Sequence, residues 1–260
     1  MKKRAQKLIM ASTTSVQQSG LLDILLPAYE QATPYPVAIE VVAVGTGKAI
    51  RLAKHGEADM LFVHDPFREE KFVAEGYGVN RRAVMHNHFV IVGPASDPAG
   101  VRKAKKATEA FDDIAAVSAS FVSRGDDSGT NIKELDIWDD ASVNPKGKGW
   151  YFESGAKMGE TLLMADSKNA YTLSDMGTYL TYQKRIKLKA LFSEDPFLRN
   201  QYSVIALNPD RFPKVNYREA MDFIGFVTSP EGQRIIRNYK KHGVRLFNPD
   251  AVPFAAKTNK

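Results

Sequence analysis

Three short clusters of hydroxyl, glycine and acidic residues are the part of this sequence best suited to chemistry. They occupy residues 12–15, 44–47 and 123–130, and the third contains Arg124. The first two follow apolar, strand-like runs, and all three lead into a helical pattern. A strand-to-helix junction presents hydroxyls beside backbone N–H groups that lack intrahelical partners, and it binds anions. Three such junctions with one arginine, and no obvious nucleophile and base, predict a site that holds an oxyanion without reacting with it.

The segments that come nearest to catalytic or cofactor-binding motifs lack residues that those motifs require. The segment 45–48 is similar to the end of a phosphate loop, but Val42 stands where that loop needs its first glycine. A dinucleotide-binding turn would need glycine where Ile50 stands. We interpret Asp126 and Asp127 as helix-capping residues rather than as an acid/base pair. The sequence therefore predicts a protein that is not an enzyme and needs no cofactor.

Histidines give no clear metal site. His86 and His88 would lie on one face of a strand, but no third ligand is near them in the sequence. His64 follows a strand, where it would line either a cleft or an ordinary polar loop. We expect no direct protein ligands to a metal.

Composition and charge limit the possible partners. The chain has 260 residues, no cysteine and a net charge of +6. Basic stretches at 103–106, 184–187 and 234–241 are interpreted as solvated surfaces, because no nucleic-acid-binding motif accompanies them. We therefore expect no nucleic-acid partner, and a positive field that attracts small anions. The basic start, Met1 to Arg4, is typical of a leader peptide, but residues 8–11 are too short for its apolar core.

Strand-like and helix-like segments alternate along the chain, which predicts an α/β fold with mostly parallel sheets. We expect strands at 7–11, 37–44, 60–63, 89–92, 120–122, 170–173 and 202–207. Helices are expected at 21–29 with Ser19 as N-cap, at 48–55, 68–75, 132–138 with Ser128 as N-cap, 157–165 and 175–182, and on both sides of Ser229. Breaks near Gly93 and Gln201 predict one lobe from residues 1–93 plus 202–260 and an inserted lobe from 94–201.

Several of these segments also resemble a known family. The matching runs are 12–15 with 20–23, 42–47, 71–82, 89–94, 121–130, 170–173 and 228–233, and the most specific of them is Ser-Arg-Gly-Asp-Asp-Ser-Gly-Thr at 123–130. Over nearly the whole chain, the sequence resembles the tungstate-binding branch of the periplasmic substrate-binding proteins of ABC importers. The resemblance implies a type II fold with two α/β lobes and a ligand cleft between them.

The resemblance also implies a function and a set of binding residues. The expected ligand is tungstate or molybdate, carried outside the cytoplasm by a monomer and delivered to the membrane permease of an ABC importer. The oxyanion would be held by hydroxyls, backbone N–H groups and one arginine. The expected ligand-binding residues are Thr14, Ser15, Thr46, Arg124, Ser128, Thr130 and, as a weaker candidate, Thr172.

Some features leave alternatives open. Where the family commonly has arginine after Thr-Asp, this chain has Met176, which puts the affinity and the identity of the ligand in question. Phosphate or another small anion is the alternative ligand, and it would gain if Asp126 or Asp127 faced the site and accepted a proton. An enzyme on the same scaffold, using Asp126, Asp127 or His64, is the alternative from another class.

Overall fold

The computed structural model describes residues 6–34 and 36–251. The basic start of the chain lies outside the described residues. The strands are β1 Gln6–Thr13, β2 Val37–Val44, β3 Met60–Val63, β4 Gly78–Gly93, β5 Phe121–Ser123, β6 Tyr151–Glu153, β7 Thr172–Asp175, β8 Lys189–Phe192, β9 Arg199–Leu207, β10 Lys240–Lys241, β11 Val244–Arg245 and β12 Asn248–Pro249.

Helices separate most of these strands. They are α1 Thr14–Ser19, α2 Leu22–Ala32, α3 Thr46–Lys54, α4 Pro66–Ala74, α5 Ala107–Ala116, α6 Gly129–Asp140, α7 Met158–Lys168, α8 Met176–Tyr182, α9 Tyr217–Thr228 and α10 Pro230–Asn238. Short 3-10 turns occur at Val101–Lys103 and Pro196–Leu198. No helix in the described part of the chain is both long and apolar enough to span a membrane.

The chain divides into two compact units. Among the described residues, the first contains residues 6–34, 36–86 and 201–251, and the second runs from Asn87 to Asn200. The chain passes between the units inside β4 and inside β9, which are continuous strands. The first crossing therefore lies upstream of the Gly93 break that the sequence indicates, because β4 continues past His86 and its second half pairs with β7 and β8.

The first unit is built on a sheet with strand order β2-β1-β3-β9-β4-β12. Strand β1 is parallel to both β2 and β3, whereas β9 runs antiparallel to β3. The β3 strand is buried at every position, as its uninterrupted apolar sequence predicts. Helices α3 and α4 contribute to a core that joins Ala49, Ala53 and Phe72 to Leu61 and Ile205. This packing fixes the ends of the three parallel strands.

The second unit has an aromatic core. Phe111, Phe121, Trp138 and Tyr151 lie in one cluster, with ring centroids of Phe111 and Trp138 4.4 Å apart. Strand β5 is parallel to β6, and Phe121 forms a parallel bridge with Tyr171 just before β7. The core holds the end of β5, from which the third polar cluster begins.

Three features differ from the sequence-based expectations. The sheets are mixed rather than mostly parallel, since β7, β8, β9 and β12 all form antiparallel pairs. Strand β4 begins at Gly78, well before the apolar run that marks its end, because its first half alternates between buried and exposed positions. A separate helix, α1, precedes α2, so Ser19 ends one helix and does not cap the next.

Candidate functional site

The carboxyl ends of three parallel strands meet at one edge of the first unit. Thr13, at the end of β1, pairs with Val44 at the end of β2. Ser12 pairs with Phe62 of β3, and its hydroxyl donates to the Phe62 carbonyl at 2.7 Å. Because the strands are in this register, the segments that follow them emerge side by side. This is the edge at which open α/β sheets bind ligands.

The first segment places two hydroxyls at the start of α1. Thr13 caps this helix, since its Oγ1 accepts a hydrogen bond from the Val16 N–H at 3.3 Å. Thr14 and Ser15 are the first two residues of α1, and both are half-buried. The Ser15 Oγ lies 3.0 Å from the Thr13 Oγ1. Thr14 and Ser15 therefore stand at a strand-to-helix junction, although the helix that follows β1 is α1 and not the one expected from residue 21.

The second segment is the turn from β2 into α3. Gly45 is the N-cap of α3 and has no side-chain cap, so the first N–H groups of the helix have no partner from that source. Thr46 is the first helical residue and is 3% exposed. A Cβ placed at Gly45 would meet nothing within 4 Å, so the turn borders open space. An anion could approach the uncapped N–H groups and the Thr46 hydroxyl there.

The third segment brings in His64, which the sequence did not place in the binding set. His64 follows β3, and its Nε2 lies 2.9 Å from the Ser15 Oγ. Its ring stacks on Tyr202 with centroids 4.8 Å apart and is 6% exposed. The sequence shows no obvious nucleophile and base, and the structure brings this hydroxyl and this imidazole within hydrogen-bond distance. Its position directly after a strand made His64 a candidate for a cleft, but the sequence could not show its contact with Ser15.

In the second unit, Arg124 is held inside its own loop. Its guanidinium forms an ion pair with Asp126, whose other carboxylate oxygen accepts a hydrogen bond from the Ser128 N–H at 3.2 Å. The side chain of Arg124 is 13% exposed. Its Nε is buried and has no hydrogen-bond partner among the described residues. Arg124 therefore has one part of its guanidinium paired with Asp126 and a second donor, Nε, that is unused in the described residues.

The residues after Arg124 start α6. Ser128 is the N-cap, as the sequence predicts, and its Oγ accepts from the Asn131 N–H at 3.3 Å. Ser128 keeps its own hydroxyl proton for another acceptor. Thr130 lies in the first turn and is 5% exposed. Gly125 and Asp127 have φ angles of +61° and +56°, and these left-handed residues turn the loop sharply from β5 into the helix.

A buried carboxyl, that of Glu134, holds the start of this loop through hydrogen bonds. Glu134 of α6 is 2% exposed and accepts hydrogen bonds from the Ser123 hydroxyl at 2.6 Å and the Tyr151 hydroxyl at 2.8 Å. Ser123 in turn accepts from the Gly125 N–H and from the Asn131 amide. Burial raises the pKa of Glu134 to about 7, although these hydrogen bonds oppose the rise. No pattern in the sequence indicated this network.

Thr172 has a structural role. It is 1% exposed, and its hydroxyl donates to the Val122 carbonyl at 2.7 Å, which ties β7 to β5. The hydroxyl proton that could serve an anion is already donated to Val122. Met176, where the family commonly has arginine, is the first residue of α8, and Asp175 caps that helix through the Thr178 N–H.

The histidine pair on β4 belongs to no metal-binding cluster in the described part of the chain. His86 Nδ1 lies 2.7 Å from a carboxylate oxygen of Asp250. Within residues 6–34 and 36–251, no three histidine or acidic side chains are arranged to hold a metal ion.

Comparison with known proteins identifies close relatives. The model of the PBP superfamily domain matches residues 2–231. The tungstate-binding protein TupA of Peptoclostridium acidaminophilum is 42% identical over 94% of this chain and 86% of its own length. The solved structure of TupA from Desulfovibrio alaskensis is 41% identical, with a TM-score of 0.88, and covers 95% of this chain and 100% of that one. The solved structure of the tungstate ABC transporter from Geobacter sulfurreducens is 50% identical, with a TM-score of 0.81, and covers 91% of this chain and 100% of that one.

Proposed function

Because the chain belongs to the PBP superfamily and, within it, to the tungstate-binding proteins, we propose that it binds a tetrahedral oxyanion for import by an ABC transporter. Tungstate is the proposed ligand, with molybdate as its nearest substitute. The protein would act outside the cytoplasm as a monomer, with a membrane permease as its partner and no nucleic acid.

The observation that carries this proposal is the row of hydroxyls and uncapped N–H groups at the carboxyl edge of β1 and β2. Ser15 and Thr46 stand at the two adjoining strand-to-helix junctions of that edge, with Thr14 beside Ser15. A fully deprotonated oxyanion accepts hydrogen bonds only, and neutral hydroxyl and amide donors match that need. The hydroxyl and amide donors of the two junctions are themselves uncharged.

We propose Arg124, Ser128 and Thr130 as the donors of the second unit. The unused Nε of Arg124 and the remaining proton of Ser128 are available for an oxyanion. Thr130 contributes a hydroxyl from the first turn of α6, where the helix dipole also favours an anion. Arginine adds charge-assisted hydrogen bonds, which are the stronger kind.

Phosphate remains the second candidate ligand, and Asp126 bears on it. A free carboxylate beside the ligand would accept the proton of a hydrogen-bearing phosphate. Both carboxylate oxygens of Asp126 are already engaged, one by Arg124 and one by the Ser128 N–H. Each oxygen keeps a further lone pair, but both bonds hold the carboxylate within its own loop, and we infer that Asp126 does not serve as the proton acceptor of a phosphate.

Binding rather than catalysis is the proposed role. The relatives are named as binding proteins or as a transporter. The proposed donors form hydrogen bonds to the anion, and binding it in this way breaks no covalent bond. Turnover of a small ester by the purified protein, lost in Ser15→Ala, would contradict this.

A thermal-shift panel tests the ligand class. Tungstate, molybdate, sulfate and phosphate are added separately at equal concentration, since a bound ligand stabilises the protein by RT ln(1 + [L]/Kd). At about 1,000 times Kd this amounts to about 4 kcal/mol. We expect large shifts with tungstate and molybdate and small ones with sulfate, because sulfate is smaller and meets the donors with poorer geometry. Equal shifts with all four anions would mean nonspecific binding.

A further inference from the structure

The contact between Ser15 and His64 raises the question of which atom carries the proton. The Ser15 Oγ has two neighbours, His64 Nε2 at 2.9 Å and Thr13 Oγ1 at 3.0 Å. The stack of His64 on Tyr202 fixes the plane of its ring. Ser15 thus sits in a small hydrogen-bond network whose direction depends on the protons of its neighbours.

The position of the protons in this network determines whether Ser15 can donate a hydrogen bond to an anion. A serine hydroxyl has one proton to donate and two lone pairs that accept. If His64 lacks a proton on Nε2, Ser15 donates to His64 and turns lone pairs toward the ligand. If Nε2 carries the proton, Ser15 accepts from His64 and keeps its own proton. Thr13 fits the second case, because its Oγ1 accepts from the Val16 N–H and can donate to Ser15.

We propose that His64 is a positioning residue whose Nε2–H directs the Ser15 hydroxyl toward the bound anion, and so selects anions that carry no proton. This inference rests on the proposed function. The neutral tautomer with the proton on Nε2 and the imidazolium ion both meet the requirement. Tungstate offers only acceptors, so it gains from a donating Ser15. Hydrogenphosphate needs one acceptor in its site, and a Ser15 that accepts from both neighbours has none to offer.

The same contact distance also fits a nucleophile and its base, which would require the proton to move in the opposite direction. In that case Ser15 would give its proton to His64 and attack a substrate. Ester turnover by the wild type that disappears in both Ser15→Ala and His64→Phe would overturn the proposal in favour of catalysis.

Two substitutions at His64 separate its N–H from its ring. His64→Phe keeps an aromatic ring against Tyr202 and removes the donor. His64→Gln places an amide N–H near the position of Nε2 and gives up the ring. Calorimetric titration with tungstate and with phosphate, beside melting of the ligand-free proteins, gives affinity, selectivity and folding for each variant.

We expect His64→Phe to weaken tungstate binding about tenfold, the value of one hydrogen bond to a charged ligand, with little change for phosphate. The tungstate-to-phosphate selectivity should fall by the same factor, and His64→Gln should recover most of it. In a Ser15→Ala background, His64→Phe should cost no further affinity, because the residue acts through Ser15.

Several results would overturn the inference. Equal losses from His64→Phe with and without Ser15 would show that His64 acts on its own. An unchanged selectivity ratio, or a His64→Gln variant as weak as His64→Phe, would show that the N–H is not the relevant group. If His64→Phe fails to fold, His64→Gln compared with Ser15→Ala decides, since only retained selectivity in the glutamine variant agrees with the proposal. A wild type that binds no tungstate would instead contradict the proposed function itself.

Discussion

The guanidinium of Arg124 is bound to the carboxylate of Asp126, two residues further along the same loop, while its Nε has no partner in the described part of the chain. In the ligand-free protein, the positive charge of Arg124 is therefore paired with the negative charge of Asp126. An incoming oxyanion would compete with Asp126 for Arg124. Because of this competition, mutations of Arg124 and of Asp126 should change the affinity for the anion in opposite directions.

We expect Arg124→Ala to lower the affinity for tungstate at least about tenfold, because charge-assisted hydrogen bonds contribute about 1.5–3 kcal/mol each. The ligand-free protein should lose only about 1 kcal/mol or less, because Asp126 stands at an exposed loop position, where ion pairs contribute little. Calorimetric titration and denaturant unfolding measure the two quantities. Arg102→Ala is the matched control, because Arg102 also faces an aspartate, Asp97, at 3.9 Å. Unchanged affinity with lowered stability would make Arg124 a structural residue.

Asp126→Asn should have the opposite effect on binding. The asparagine oxygen can still accept from the Ser128 N–H, so the turn is retained, but the negative charge beside Arg124 disappears. Two charges about 4 Å apart interact by about 1 kcal/mol in water, so tungstate affinity should rise about fivefold. The gain should shrink at high salt, where screening weakens the repulsion. A loss of affinity would mean that Asp126 positions Arg124 for the ligand.

Two threonines separate a binding hydroxyl from a structural one. Thr46→Val should lower tungstate affinity with little change in stability, because its hydroxyl is proposed to serve the ligand. Thr172→Val should leave affinity unchanged and lower the free energy of unfolding by about 1–3 kcal/mol, because it leaves the buried Val122 carbonyl without its partner. Titration and unfolding of both variants check this. The same behaviour from both would show that an existing hydrogen bond does not distinguish a structural hydroxyl from a binding one.

Glu134 should make stability depend on pH. Its pKa is raised from 4.5 to about 7 by burial, so the folded protein keeps a proton that the unfolded chain has lost. The stabilisation is fully present below pH 4.5 and disappears as the pH rises through about 7. The difference in unfolding free energy between wild type and Glu134→Gln should therefore fall over this window.

Urea unfolding at several pH values measures this difference. Glu160→Gln, at an exposed position of α7, controls for the loss of one carboxylate. A difference between wild type and Glu134→Gln that stays constant from pH 4.5 to 7 would contradict a protonated Glu134 in the folded protein.

Local patterns predicted several elements closely. The β-branched run gave β2 as Val37–Val44, and the short apolar run gave β3 as Met60–Val63. Ser128 before a helical pattern predicted the cap of α6. These features depend on neighbours a few residues away, and so a single sequence contains them. Helix α1 was missed because residues 14–19 lack hydrophobic periodicity.

The sequence by itself determined the strand-to-helix junctions, the hydroxyls and glycines that occupy them and the membership of the family, because these are properties of consecutive residues. Only the tertiary structure decided which side chains meet. Ser15 contacts His64 across 49 positions of sequence because β1 and β3 are parallel and in register. The Thr172 hydroxyl donates to the Val122 carbonyl because β7 lies beside β5. Burial likewise raised the pKa of Glu134, since solvent exclusion depends on the packing of residues that are distant in the chain.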